Sequence, residues 1–245
     1  MIMHSTSEVG HSRNVANLQK LTEQVTVYTL YNPPVPNLTV ANLQSLYSTA
    51  TAKLSEVEDK RNAKKNAITM RKIAFENLKP ICTGIINRLE ILGLLPDTLD
   101  QAKSLNHAIQ GGNKKKTAPK NSEDDQSSIS NPISTSRQSF NQQAENFGIL
   151  LQLLETIPNY SPEEDEVKLV NLKPYQESLV NTTQVIDQTE AEFNIKLIER
   201  DQVLYAEETG LYSIAQNVKK YVKSLYGATS PEYTTVSSIT FTNKK

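Results

Sequence analysis

Tryptophan is absent from the chain, cysteine occurs once and glycine only eight times among 245 residues. Each scarcity excludes something. The lone Cys82 rules out a disulfide within the chain and fits a reducing compartment. Few glycines, with Leu, Ile, Val and Ala outnumbering the aromatics, favour helices with aliphatic seams over sheets. An excess of either charge is lacking too: 26 Lys and Arg face 27 Asp and Glu, so there is no global electrostatic argument for nucleic acid or an acidic substrate. No window approaches the roughly 18 apolar residues of a membrane span, and MIMHSTSEVGHSRN carries no apolar signal region. A cytoplasmic protein is expected.

Chemical motifs are missing as well. There is no GxxxxGKS/T, no GxGxxG after a strand, no HExxH, no CxxC and no GxSxG. The histidines are His4 and His11 in an irregular start and His107 near a linker, away from the firm helical patterns, which argues against a His-based metal or acid–base site. Cys82 opens a helix, where the dipole favours thiolate, but burial as a small hydrophobe is the commoner fate. Asp187, Glu190, Glu192, Glu199 and Asp201 lack the ExxH partners of a di-iron bundle, so a solvated face is expected. No catalytic residue, cofactor or metal is assigned.

What the chain does contain is a pattern written twice. VYTLYNPPVPNLTVANL returns as IPNYSPEEDEVKLVNL, displaced by 129 positions: Tyr31 falls on Tyr160, Pro33 on Pro162, Asn42 on Asn171 and Arg71 on Arg200. Apolar positions follow, with Leu38 on Val167, Val57 on Ile186 and Phe75 on Leu204. The breakers Thr83-Gly84 and Thr209-Gly210, then Pro96-Asp97 and Pro231-Glu232, keep the same order. The expected fold is all-α: an elongated helical bundle from two tandem three-helix units, a long-helix repeat, with Leu38–Leu78 antiparallel to Val167–Leu204 so that two long-helix halves and one short helix from each unit make a four-helix section at either end; two separate three-helix bundles are the alternative.

In chain order, residues 1–12 read as a disordered tail and 13–111 as the first unit. Val15, Leu18, Leu21, Val25 and Tyr28 step by three and four along one helical face. NPPVPN ends that helix. A long helix over Leu38–Leu78 follows, about 60 Å if straight, its middle charged almost all round, with Glu56 and Lys60 at i,i+4. Residues 112–135, polar and without aromatics, read as a flexible linker. Its Lys114, Lys115, Lys116 and Lys120 are followed by Glu123, Asp124 and Asp125, which makes a nucleic-acid partner an unfavoured reading. The second unit, 136–245, repeats the order. Ser161-Pro162-Glu163-Glu164 has the form of a capping box opening the second long helix, Pro174 is a kink site, and Leu211, Ile214, Val218, Tyr221 and Leu225 mark a further helix ending at Gly227. TTVSSITF reads as an extended tail packing Val236, Ile239 and Phe241.

Tyr221, Tyr226 and Tyr233 are the candidate protein-interface residues, since tyrosine is enriched at contacts; core tyrosines with surface hydroxyls are the competing reading. NYSPEEDEVKLVNLKPYQESL, followed by RDQVLYAEETGLYSIAQNVKKYVKSLYGATSPEYTTVSSITF, resembles helical proteins of unknown function from Bacteroidetes-type bacteria. The resemblance covers the second unit well and the first loosely. It implies a bacterial, cytosolic helical protein and carries over no catalytic or binding residues. The function expected is a structural or protein-interaction bundle without catalysis, with a protein partner or self-association. Two alternatives stand beside it, an enzyme with a polar site in a bundle cleft and a membrane-active helical protein.

Overall fold

A computed structural model describes residues 6–111 and 135–243. They form an all-α protein of eight helices: α1 (Thr6–Thr26), α2 (Val40–Phe75), α3 (Leu78–Ile91), α4 (Pro96–Gln110), α5 (Thr135–Glu155), α6 (Leu169–Tyr205), α7 (Leu211–Tyr226) and α8 (Pro231–Ser238), with single 3-10 turns at Pro36–Leu38 and Asp165–Val167. No strand occurs among the described residues. The expected linker, 112–135, lies outside them except for Thr135, the first residue of α5.

Four local expectations are corrected. Residues 6–12 are not a tail: α1 starts at Thr6, and its apolar seam runs back through His11, which is buried. The second long helix starts at Leu169 rather than at the Ser161 capping box. Glu164 precedes a 3-10 turn instead, stabilised by Lys168 Nζ on Asp165 Oδ1 at 2.6 Å. Each sequence half holds four helices rather than three, because α4 is 15 residues long and α8 is a helix of its own. The β-branched run Thr234–Val236 is therefore helical, not extended. Ser230 caps α8 by accepting from the Tyr233 amide at 3.1 Å, Pro231 fits its first turn and Val236 is fully buried, which together outweigh strand propensity.

The chain divides into two compact units that do not follow the sequence halves 13–111 and 136–245. The first comprises Met1–Lys64 and Thr189–Lys245, the second Lys65–Gln188. Both long helices therefore supply residues to both units.

In the first unit, Val15, Leu18, Leu21 and Val25 of α1 meet Leu43 and Ala50 of α2, Leu204 of α6, and Leu211, Ile214, Ala215, Val218 and Val222 of α7. The stretch of α2 in this unit runs antiparallel to that of α6, as Lys53–Glu199 (2.7 Å), Lys60–Glu192 (2.8 Å) and Lys64–Glu190 (2.9 Å) show. Lys60 thus reaches across to α6 rather than back to Glu56. Lys53, Glu56, Lys196 and Glu199 close a ring of alternating charges. Gly210, which precedes α7, lies so near α6 that a Cβ there would stand 2.4 Å from the Ala206 nitrogen.

In the second unit, Phe75, Leu78, Cys82, Ile85 and Leu89 pack with Ala102 and Ile109 of α4, Phe147, Leu150 and Leu154 of α5, and Leu172 and Leu179 of α6. Phe140 is edge-on to Phe75 at 4.8 Å, and the buried Arg71 guanidinium lies 4.3 Å from the Phe140 ring centre. Pro174 sits inside α6.

The turns before the two long helices share a set of bonds. Tyr31 donates to the Leu38 carbonyl (2.6 Å) and Asn42 Nδ2 to the Pro36 carbonyl (2.5 Å). At the positions 129 residues on, Tyr160 donates to the Val167 carbonyl (2.9 Å) and Asn171 Nδ2 to the Asp165 carbonyl (2.7 Å).

Candidate functional site: a tyrosine-braced face

The candidate tyrosines lie on α7 and α8 in the first unit. The apolar face of α7 runs through Leu211, Ile214, Ala215, Val218 and Val222, which turns Tyr221 and Tyr226 to its edge, half-buried. There they grip the segment after α1. Tyr221 donates to the Asn32 carbonyl at 2.6 Å and stands edge-on to Tyr31, centroids 5.5 Å apart. The Tyr226 hydroxyl accepts from the Leu30 amide at 3.2 Å, and its ring tilts against Tyr28 at 5.5 Å. Tyr28 in turn donates to the Glu232 carbonyl at 3.0 Å. Tyr233 stands apart from this quartet: half-buried on the same core, it lies 5.5 Å from Lys223 Nζ.

Tyr28 and Tyr31 were not singled out by sequence reasoning as site residues. The signal for Tyr31 was its correspondence with Tyr160, both seven residues before the carbonyl they bond. Burial, then the neighbouring Tyr221, pushes the Tyr31 hydroxyl well above the ordinary phenol range. Burial is also the chief cause of a rise at Tyr28. These hydroxyls stay neutral donors.

In the segment that the rings hold, apolar side chains face solvent: Val27 is 71 % exposed, Leu30 58 % and Val35 49 %. No charged residue occurs between Glu23 and Lys53. The equivalent segment of the second half instead carries Glu163, Glu164, Asp165 and Glu166. There Arg88 binds Glu164 (Nη2 to Oε1, 2.7 Å) and the Gly84 carbonyl (3.1 Å), and borders two clefts of about 190 and 420 Å³.

The remaining sequence candidates are engaged elsewhere. Glu190, Glu192 and Glu199 pair with lysines of α2, and Asp201 Oδ1 accepts from Arg200 Nη2 at 2.6 Å. Cys82 is fully buried, and burial pushes its thiol up to about 12, so the helix start does not produce a thiolate. His107 is exposed on α4, and His4 lies outside the described residues. His11 departs from the expectation that no histidine sits in a firm helix: its Nδ1 is 2.6 Å from the Tyr205 hydroxyl, which also accepts from Asn14 Nδ2 at 3.3 Å. The spacing of His11 to Asn14, Val15 and Leu18 is the helical step that could have flagged it.

Among the described residues no group of three His, Cys, Asp or Glu is placed to hold a metal ion, and no helix is long and apolar enough to cross a membrane. Comparison with protein-family models, with curated proteins and with solved structures found no match.

Proposed function

We propose that the protein is a non-catalytic structural or protein-interaction bundle, and that the face formed by Val27, Leu30 and Val35 over Tyr28, Tyr31, Tyr221 and Tyr226 docks a protein partner. The carrying observation is the combination of exposed apolar side chains with rings already fixed by backbone hydrogen bonds, in a stretch without charge. Interface centres are rich in aromatics and depleted of charge. Rings held in place before contact lose little freedom on binding, which favours a protein surface. The partner that suits this face is itself apolar and uncharged. A stretch without Lys or Arg gives an anionic membrane nothing to attract, which sets the membrane-active reading second.

The same reading treats the chain as a duplicated unit whose two copies differ in charge at this place, loop 27–36 apolar and loop 156–165 acidic. The recurrence of the Tyr31 and Asn42 bonds at Tyr160 and Asn171 supports it. The proposed reading assigns the protein to a reducing cytoplasm, and the single, buried Cys82 supports that assignment. The test is capture from a native extract by the full chain and by Leu30→Asp. A partner bound specifically by the former and lost at least about ten-fold by the latter, in line with an interface-centre residue, supports the reading. Equal capture by both chains, or capture of vesicles in place of protein, overturns it.

A further inference from the structure

Residues 30–36 read Leu-Tyr-Asn-Pro-Pro-Val-Pro, with prolines at 33, 34 and 36. Each ring fixes its own φ at about −65° and drives the residue before it into extended backbone, so Asn32, Pro33 and Val35 are restricted too. Val35 accordingly has φ −94° and ψ 120°. The rest of the unit anchors the segment from one side: Tyr226 accepts from the Leu30 amide, Tyr221 donates to the Asn32 carbonyl, and Pro33 is buried. Pro34, Val35 and Pro36 stay exposed, and so does Leu30.

What this exposed edge offers is chemically one-sided. Pro33 and Pro34 have no N–H, and among the described residues nothing donates to either of their carbonyls. The edge therefore presents acceptors beside apolar rings and methyls, with no charged residue from 24 to 52. A proline segment of this kind is matched by a groove of flat aromatic side chains that also carry N–H or O–H donors. Rings pack on the prolines, donors reach the carbonyls, and a segment already extended loses little freedom on binding.

The second half shows that the fold does not ask for these prolines. At the positions 129 residues on, only Pro33 keeps its proline, as Pro162, while Pro34, Val35 and Pro36 fall on Glu163, Glu164 and Asp165. The turn there still makes the same tyrosine and asparagine bonds to its carbonyls. Pro34 and Pro36 thus serve something other than the turn.

We propose that residues 30–36 are a proline-type ligand, and that the partner docked on this face brings an uncharged, aromatic-lined groove whose N–H or O–H groups bond the Pro33 and Pro34 carbonyls. The proposal rests on the protein-interaction reading of the preceding section and names the chemistry of the partner.

The chain has no tryptophan, so indole emission reports a tryptophan-bearing partner alone. The probe is a purified WW domain, a small module with an aromatic-lined groove for proline segments, titrated with the full chain. A saturable change in its emission is expected, with a Kd below about 1 mM. Pro34→Ala, at an exposed position, should keep the helix content and weaken binding at least about five-fold. Pro34→Glu combined with Val35→Glu, which copies the second half, should abolish it. No saturable change up to about 1 mM chain, or equal binding by Pro34→Ala, overturns the proposal. So does a native partner that is lost with Leu30→Asp and captured in full by Pro34→Ala, an outcome that leaves the docking face itself standing.

Discussion

Replacing Tyr160 by phenylalanine removes one oxygen and leaves the ring. The hydroxyl donates to the Val167 carbonyl at 2.9 Å across a seven-residue loop, and Val167 itself is 4 % exposed. Loss of a neutral hydrogen bond costs about 1 kcal/mol net, rising to about 2 kcal/mol where the carbonyl is left buried and unpaired. Tyr31→Phe removes the shorter 2.6 Å bond to Leu38, 8 % exposed, and should cost at least as much. Urea denaturation reads these differences as a lowered midpoint with unchanged slope. In a chain of 245 residues each kcal/mol corresponds to about 2–4 °C in Tm. A loss below about 0.3 kcal/mol for both variants would refute the idea that these bonds organise the entry to the long helices.

Phe147→Ala, which truncates the largest fully buried side chain, should cost about 3–5 kcal/mol by denaturant melting. Gly210→Ala forces a Cβ against the Ala206 backbone and should destabilise by about 1–3 kcal/mol, whereas the smaller entropy of the unfolded chain alone would give a gain of about 0.4–1 kcal/mol; thermal melting separates them. Cys82, with its thiol raised to about 12, should not react with a disulfide reagent at pH 8 until denaturant is added, and prompt labelling of the native chain would contradict its burial. The Glu56 and Glu199 carboxyls are held below their usual range, Glu56 chiefly by Lys196 and Glu199 chiefly by Lys53. Their contribution is therefore complete above the ordinary carboxylate value near 4.5 and lost as pH falls through the lowered one; Glu199→Gln should flatten that acid limb of Tm against pH, and added salt should shrink the difference.

Apolar periodicity made much of the fold readable. Val15, Leu18, Leu21 and Val25 step along one face and are all buried, and the same holds for Leu211, Ile214 and Val218. Periodicity reports a face but not its partner; helix length supplied the partner, because two shorter helices matching one long helix imply antiparallel long helices, and the unit of residues 1–64 and 189–245 joins the start of one half to the end of the other as that pairing requires. Local propensity misled where tertiary contact outweighed it: Thr234–Val236 favours strand, yet a capping serine and the burial of Val236 make it helix. Ser161 lost its capping role because the chain makes a 3-10 turn at Asp165 first. At the candidate face, Tyr226 was legible as an aromatic off the 211–225 seam, whereas Tyr221 belonged to that seam by spacing and is turned to its edge because Ala215 and Val222 take the buried places. Their partners were not legible, since the bonds run to the carbonyl of Asn32 and the amide of Leu30, and main-chain groups leave no mark in a sequence.

The division of residues between the units also orders synthesis. Residues 65–188 are contiguous, so the second unit has all of its parts as soon as Gln188 leaves the ribosome. The first unit does not: α1 and the start of α2 emerge early, but the part of α6 from Thr189, with α7 and α8, follows only after the whole of the second unit has been made. At about 5–20 residues per second, α1 waits on the order of ten seconds with Leu18, Leu21 and Val25 uncovered. The part made first is the part completed last. In that interval its apolar seam is a substrate for chaperones, and slowing translation past Gln188 should raise aggregation of the nascent chain more than the same delay placed before Lys65.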